Sequence, residues 1–237
     1  MKKSIYALLF FGLFFSVTLT AQKSKKEEIR AVDAFERVNI VGHADVYLYP
    51  SDKNEIKASG SNIDWTLFET KLEQDELHIS YNFPRNGNTT NFNSEPKLVI
   101  ELYYQDLEEL VLEGKIWVET EALRKSRKMK IESYGMIKGD LAVRAEYLTI
   151  DIEGMTKLEI SGKAENAKVA MYGMGGIDAS RLMTKSAYAE AEGMGKIQVD
   201  AREELNGSFS GIGSINYSGN PERKKINKEG IVIVRRN

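Results

Sequence analysis

Six glycines, Gly114, Gly135, Gly154, Gly173, Gly193 and Gly211, each close a short stretch of alternating apolar and polar residues, at spacings of 21, 19, 19, 20 and 18. Four of them open nearly the same turn: GMTKLEI, GMGGIDA, GMGKIQV and GIGSINY. A unit of that length cannot bury its own apolar face, so neighbouring units must stack and share one core. The alternation has period 2, which assigns the units to strands. Two places before each glycine stand Leu112, Ser133, Ile152, Met171, Ala191 and Phe209, and four places before stand Leu110, Ile131, Ile150, Val169, Ala189 and Gly207. These columns are predicted to point inward. The columns between them hold Glu113, Tyr134, Glu153, Tyr172, Glu192 and Ser210, then Val111, Glu132, Asp151, Ala170, Glu190 and Ser208, and are predicted to face solvent. After the turn an inward strand resumes at Leu158, Ile177, Ile197 and Ile215. Equivalent strands then lie parallel, about 4.8 Å apart. The expected fold class is all-β, a parallel β-helix solenoid with coils of about 19 residues, right-handed by the general preference for right-handed crossovers.

The six glycines are read as structural turns, because a corner taken in two to four residues needs positive φ or close backbone approach. Met136, Met155, Met174 and Met194 follow four of them directly. On stacked corners they form a ladder. The expected role is packing, with flexible thioethers filling irregular corners. The other chemistry open to such a ladder is a soft-metal site for Cu(I), which no cysteine or nearby histidine reinforces.

Residues 1–21 read as a secretory signal peptide: a basic Met1-Lys2-Lys3, an apolar run from Ile5 to Leu19, and Leu19-Thr20-Ala21 as the cleavage motif. No later segment is apolar enough for a transmembrane helix. The expected location is periplasmic, outer-surface or secreted. Cysteine is absent, so neither a lipid-anchor cysteine nor a disulfide framework is expected. Residues 22–34 read as a flexible leader or helix-prone cap, and 35–103 as an N-terminal β region. Within that region the segment 82–96, NFPRNGNTTNFNSEP, reads as a long surface loop whose contact residues would be Phe83, Arg85 and Phe92. The C-terminal repeats span 104–221, and the charged segment 222–237 reads as a closing cap.

The 33 basic and 35 acidic residues leave no electrostatic footprint for nucleic acid. His43 and His78 are far apart and read as solvated surface residues. There is no HExxH spacing, GxSxG elbow or complete phosphate loop, so no catalytic, cofactor or metal residue is assigned. Outward carboxylates such as Asp151 with Glu153 are the one arrangement suited to Ca²⁺. Their alternation with Tyr134 and Tyr172 also avoids like charges on adjacent strands.

With these motifs in order, the chain resembles the auto-transporter adhesin, head GIN domain family (DUF2807) of Bacteroidetes. The resemblance rests on FERVNIVGHADVYLYP, LEELVLEGKIWVETEA, the turns in GMGGIDAS, GMGKIQVDA and GIGSINYSG, and the final YSGNP, which together span residues 35–221. It implies a β-helical cell-envelope protein and carries no catalytic residue over. The expected function is a non-enzymatic binding or adhesion-like module for a protein or glycan ligand, without a cofactor. The candidate surface is Tyr134, Tyr172 and Tyr188 with the 82–96 loop. Two alternatives stand beside it: a carbohydrate-active lyase or hydrolase, and a structural envelope protein that self-associates.

Overall fold

A computed structural model describes residues 26–81, 97–120 and 122–237. Residues 1–21, read from sequence as a signal peptide, and the segment 82–96 with Phe83, Arg85 and Phe92 lie outside the described residues. The fold is all-β. Ten strands form one sheet: β1 Lys26–Ala31, β2 Arg37–Pro50, β3 Glu55–Ser61, β4 Phe68–Glu73, β5 Glu76–Tyr81, β6 Lys97–Tyr104, β7 Glu109–Thr120, β8 Ser126–Asp200, β9 Glu204–Ser218 and β10 Arg223–Arg236. The only helical turn among the described residues is 3-10, at Trp65–Leu67, opened by Asp64 accepting from the Thr66 amide.

β2, β7, β8, β9 and β10 pair in parallel, each with the next, and each of these registers puts glycine on glycine. Gly42 lies opposite Gly114, Gly114 opposite Gly135, Gly193 opposite Gly211, and Gly211 opposite Gly230. β8 runs 75 residues without a break and stacks on itself in the same way. A Cβ built on Gly154, Gly173 or Gly193 would fall 2.1 Å from the carbonyl oxygen of Gly135, Gly154 or Gly173 respectively. The six glycines of the repeat are thus the middle of a column of eight. Gly42 joins it across an offset of 72 residues, because β3 to β6 are inserted between its rung and the next. Gly230 extends it into the segment read as a cap.

The inward columns are buried as expected, including Leu110, Leu112, Ile131, Ile150, Ile152, Val169, Met171, Ala189, Ala191 and Phe209, and after the turn Leu158, Ile177, Ile197 and Ile215. Ala170 departs from the expected outward column, being fully buried. Its column neighbours are Asp151 and Glu190, and Lys168 reaches both, at 3.9 and 3.7 Å, so longer side chains close over a methyl group too short to reach solvent.

The N-terminal region is less regular because β2 is shared. β5 pairs with its first half and β6 with its second. β4 returns antiparallel on β5, β3 on β6, and β1 on β3. The segment read as a leader or helix-prone cap therefore contributes an edge strand over Lys26–Ala31. Asn54 fastens this layer from an almost buried position. Its Oδ1 accepts from the Gln105 amide at 2.8 Å, and its Nδ2 donates to the Asp33 carbonyl at 3.3 Å. Asn54→Ala leaves that amide without its acceptor, so a loss of about 1–3 kcal/mol is expected in urea unfolding. An unchanged midpoint would mean that the contact contributes nothing.

At the other end β10 pairs only with β9 among the described residues. Its inward positions change from apolar to basic at Lys224 and Lys228, while Ile226, Val232 and Val234 stay partly buried against the core. Charge along a terminal strand discourages uncontrolled edge pairing.

Candidate functional site

The strand before each corner glycine presents one outer face of the sheet. Along it Tyr134, Tyr147 and Tyr188 are exposed and Tyr172 is half-buried. Alternation forces this arrangement, since each tyrosine flanks a buried residue: Ser133, Leu148, Met171 and Ala189. Tyr172 and Tyr188 lie on neighbouring rungs, whereas Tyr134 stands two rungs from Tyr172 with Glu153 between them. Tyr147 was not among the residues singled out from sequence. Its only signal was the outward parity, seven places before Gly154.

Charges hold the face in order. Lys130 bridges two rungs, with its Nζ 2.9 Å from both Glu109 and Glu132. These two hydrogen-bonded carboxylates push its ammonium well above the ordinary lysine range. Lys168 spans Asp151 and Glu190 in the same way. Asn39 donates to Glu113 at 3.1 Å. The phenol of Tyr172 is pushed up to about 12, first by burial and then by the carboxylates of Glu190 and Asp151. Glu132 raises that of Tyr134, with burial and Asp151 adding to it. Both tyrosines are therefore neutral donors throughout the physiological range.

Asp151, expected beside Glu153 as a Ca²⁺ ligand, is engaged by Lys168. Among the described residues no group of three or more His, Asp or Glu is placed to hold a metal ion. His78 lies 3.6 Å from Glu76 and His43 lines a shallow surface depression with Trp117 and Lys138; both are half-buried. Two grooves cross the tyrosine face. One runs between Tyr147 and Tyr188 past Asn166, Lys168 and Asn206, and the other lies beside Tyr172, Glu190, Glu192 and Ser210.

The methionine ladder does not fill the corner. Met155, Met174 and Met194 are 43%, 50% and 53% exposed, and Met136 is half-buried. The inward place beside the turn belongs to the next residue, Ile137 or Thr156, both buried, so alternation turns the methionines out.

A single sheet whose parallel strands stack on a glycine column and present an ordered polar and aromatic face defines an all-β protein. The sequence profile described as "Putative auto-transporter adhesin, head GIN domain" matches residues 34–221, and the chain belongs to that family. Among solved structures it is similar to a "putative adhesin" from Bacteroides fragilis NCTC 9343, at 22% identity and a TM-score of 0.82, over 91% of this chain and 98% of that one. A "Putative lipid binding protein" from Parabacteroides distasonis ATCC 8503 shares 20% identity at a TM-score of 0.61, over 89% and 96%. A "putative adhesin" from Parabacteroides merdae ATCC 43184 shares 15% at 0.63, over 91% and 97%. These likenesses show a common fold. Among curated proteins none matches the chain. Among the described residues no helix is long and apolar enough to cross a membrane.

Proposed function

We propose that this is an exported cell-envelope protein whose rungs wind as a right-handed parallel β-helix and which acts as a non-enzymatic, adhesion-like binding module. The observation that carries the reading is the outer face on which exposed Tyr134, Tyr147 and Tyr188 stand among carboxylates held by Lys130 and Lys168. Phenol rings offer apolar area with a hydrogen-bonding tip. Charge-paired carboxylates and amides beside them supply acceptors and donors in fixed positions. That combination suits a polyhydroxylated glycan, whose sugar faces stack on rings while the hydroxyls bond at the rim. Membership of an adhesin-described family and the basic-apolar-small pattern of residues 1–21 support the exported, contact-making role. The 82–96 loop, with Phe83, Arg85 and Phe92, is proposed as an additional contact element.

The test is a glycan array probed with the purified protein, followed by calorimetric titration of the best ligand. Tyr134→Ala and Tyr188→Ala are each expected to weaken binding about tenfold, in line with an aromatic contact of about 0.5–1.5 kcal/mol. Retention of no glycan, or binding by both variants as tight as the parent's, would remove this face as the site.

A further inference from the structure

Four of the eight methionines in the chain occupy one column, immediately after the corner glycines. Gly154 stacks on Gly135, Gly173 on Gly154, and Gly193 on Gly173, which puts Met136, Met155, Met174 and Met194 on four consecutive rungs. Rungs of a sheet are about 4.8 Å apart. The column continues with Ile212, opposite Met194, and Ile231, opposite Ile212, both exposed. Where only an apolar side chain is wanted at this corner, isoleucine serves. What the four methionines add is sulfur.

A thioether is a soft, neutral ligand that needs no deprotonation, and among biological metals it selects Cu(I). Metal–sulfur bonds are about 2.3 Å, so three sulfurs around one ion stand about 4 Å apart. Side chains on adjacent rungs begin close to that separation, and three rotatable bonds let the outer two of a trio lean toward the middle one. The backbone beneath them is held by the ladder on both sides, so the ordering falls on the side chains alone. Across the glycine column stand Glu153 and Glu192, which favour a bound cation, while Lys138, Lys157 and Lys196 line the other flank. We propose that Met155, Met174 and Met194 form a surface site for a soft monovalent metal ion of the Cu(I) type, with Met136 supplying a fourth thioether.

The test is anaerobic competition of the purified protein against a chromogenic Cu(I) chelator, with Ag(I) titration as a redox-inert parallel and X-ray absorption on the loaded protein. One ion per chain with sulfur neighbours near 2.3 Å is expected. The triple variant Met155→Ile, Met174→Ile, Met194→Ile copies the residue that the column itself uses at Ile212 and Ile231, and is expected to lose at least about a hundredfold in affinity with an unchanged circular dichroism spectrum, since it removes every soft ligand of the trio. The single variant Met174→Ile, at the centre, is expected to lose about tenfold and guards against a folding defect in the triple. Met183→Ile, exposed outside the column, is expected to bind as the parent does. Absence of saturable binding by the parent overturns the proposal, and so does undiminished binding by the folded triple or single variant.

Discussion

Gly173→Ala is expected to prevent stable folding or to lower stability by about 3–5 kcal/mol, whereas Gly176→Ala, three residues on, is expected to stay within about 1 kcal/mol of the parent. Two penalties add at Gly173. Its φ of +137° lies where a side chain is strained, and a Cβ would sit 2.1 Å from the carbonyl oxygen of Gly154 and 3.0 Å from its carbonyl carbon. That oxygen belongs to the backbone of the rung before, so relief requires prying two rungs apart and weakening the ladder between them. At Gly176 the nearest atom to a built Cβ is the Lys196 oxygen at 3.4 Å, and the backbone is ordinary. There alanine narrows the freedom of the unfolded chain without a clash, which contributes about 0.4–1 kcal/mol in favour of folding. Measured by urea unfolding, a loss of several kcal/mol at the first position and little change at the second is the expected pattern. Equal, small effects at both would mean that the glycine column is not tightly stacked.

Phe209→Ala is expected to cost about 3–5 kcal/mol, the range for a fully buried aromatic side chain. Phe209 is 1% exposed, and its ring tip lies 2.7 Å from where a Cβ of Gly213 would be. The ring occupies space that glycine leaves empty, and the column beside Gly213 continues with Gly195 and Gly175. The glycines on that side carry no side chain to move in, and the Met171 methyl already occupies the space over Gly195, so most of the vacated volume is expected to persist as a cavity. Phe209→Leu keeps most of the volume and is expected to lose about 1.5 kcal/mol or less. On thermal unfolding the alanine variant should melt lower by roughly 10 °C, at about 2–4 °C per kcal/mol for a chain of this size. A shift of only a degree or two would show that the rungs relax to fill the space.

Much of this architecture was legible in the order of residues. Alternation around each glycine sorted Leu110, Ile131, Ile150 and Val169 to the core and Glu132, Asp151 and Glu190 to the surface, because strand side chains alternate regardless of neighbours. The family was legible from the same turns. Three features were not. Gly42 reads as a corner between two short strands, but its stacking on Gly114, 72 residues away, spans an insertion that no regular period reveals. Lys26–Ala31, too charged to signal a strand, is one through antiparallel pairing with β3. Ala170 is covered by the side chains of adjacent rungs, a lateral effect that depends on register. The tyrosines of the outer face were partly legible: parity put Tyr134, Tyr172 and Tyr188 outward, while the bridging by Lys130 and Lys168 that orders the carboxylates around them required the rungs to be aligned.

The methionine ladder separates the two levels of information most clearly. Sequence by itself determined that Met136, Met155, Met174 and Met194 stack on one corner, because each follows a glycine that must stack. Whether they lie inside or outside that corner was decided only by the tertiary structure. The reason is steric: glycines at positive φ bring successive backbones into contact, leaving no volume to fill, and the buried residues that follow, such as Ile137 and Thr156, take the inward direction, so the thioethers are left in solvent.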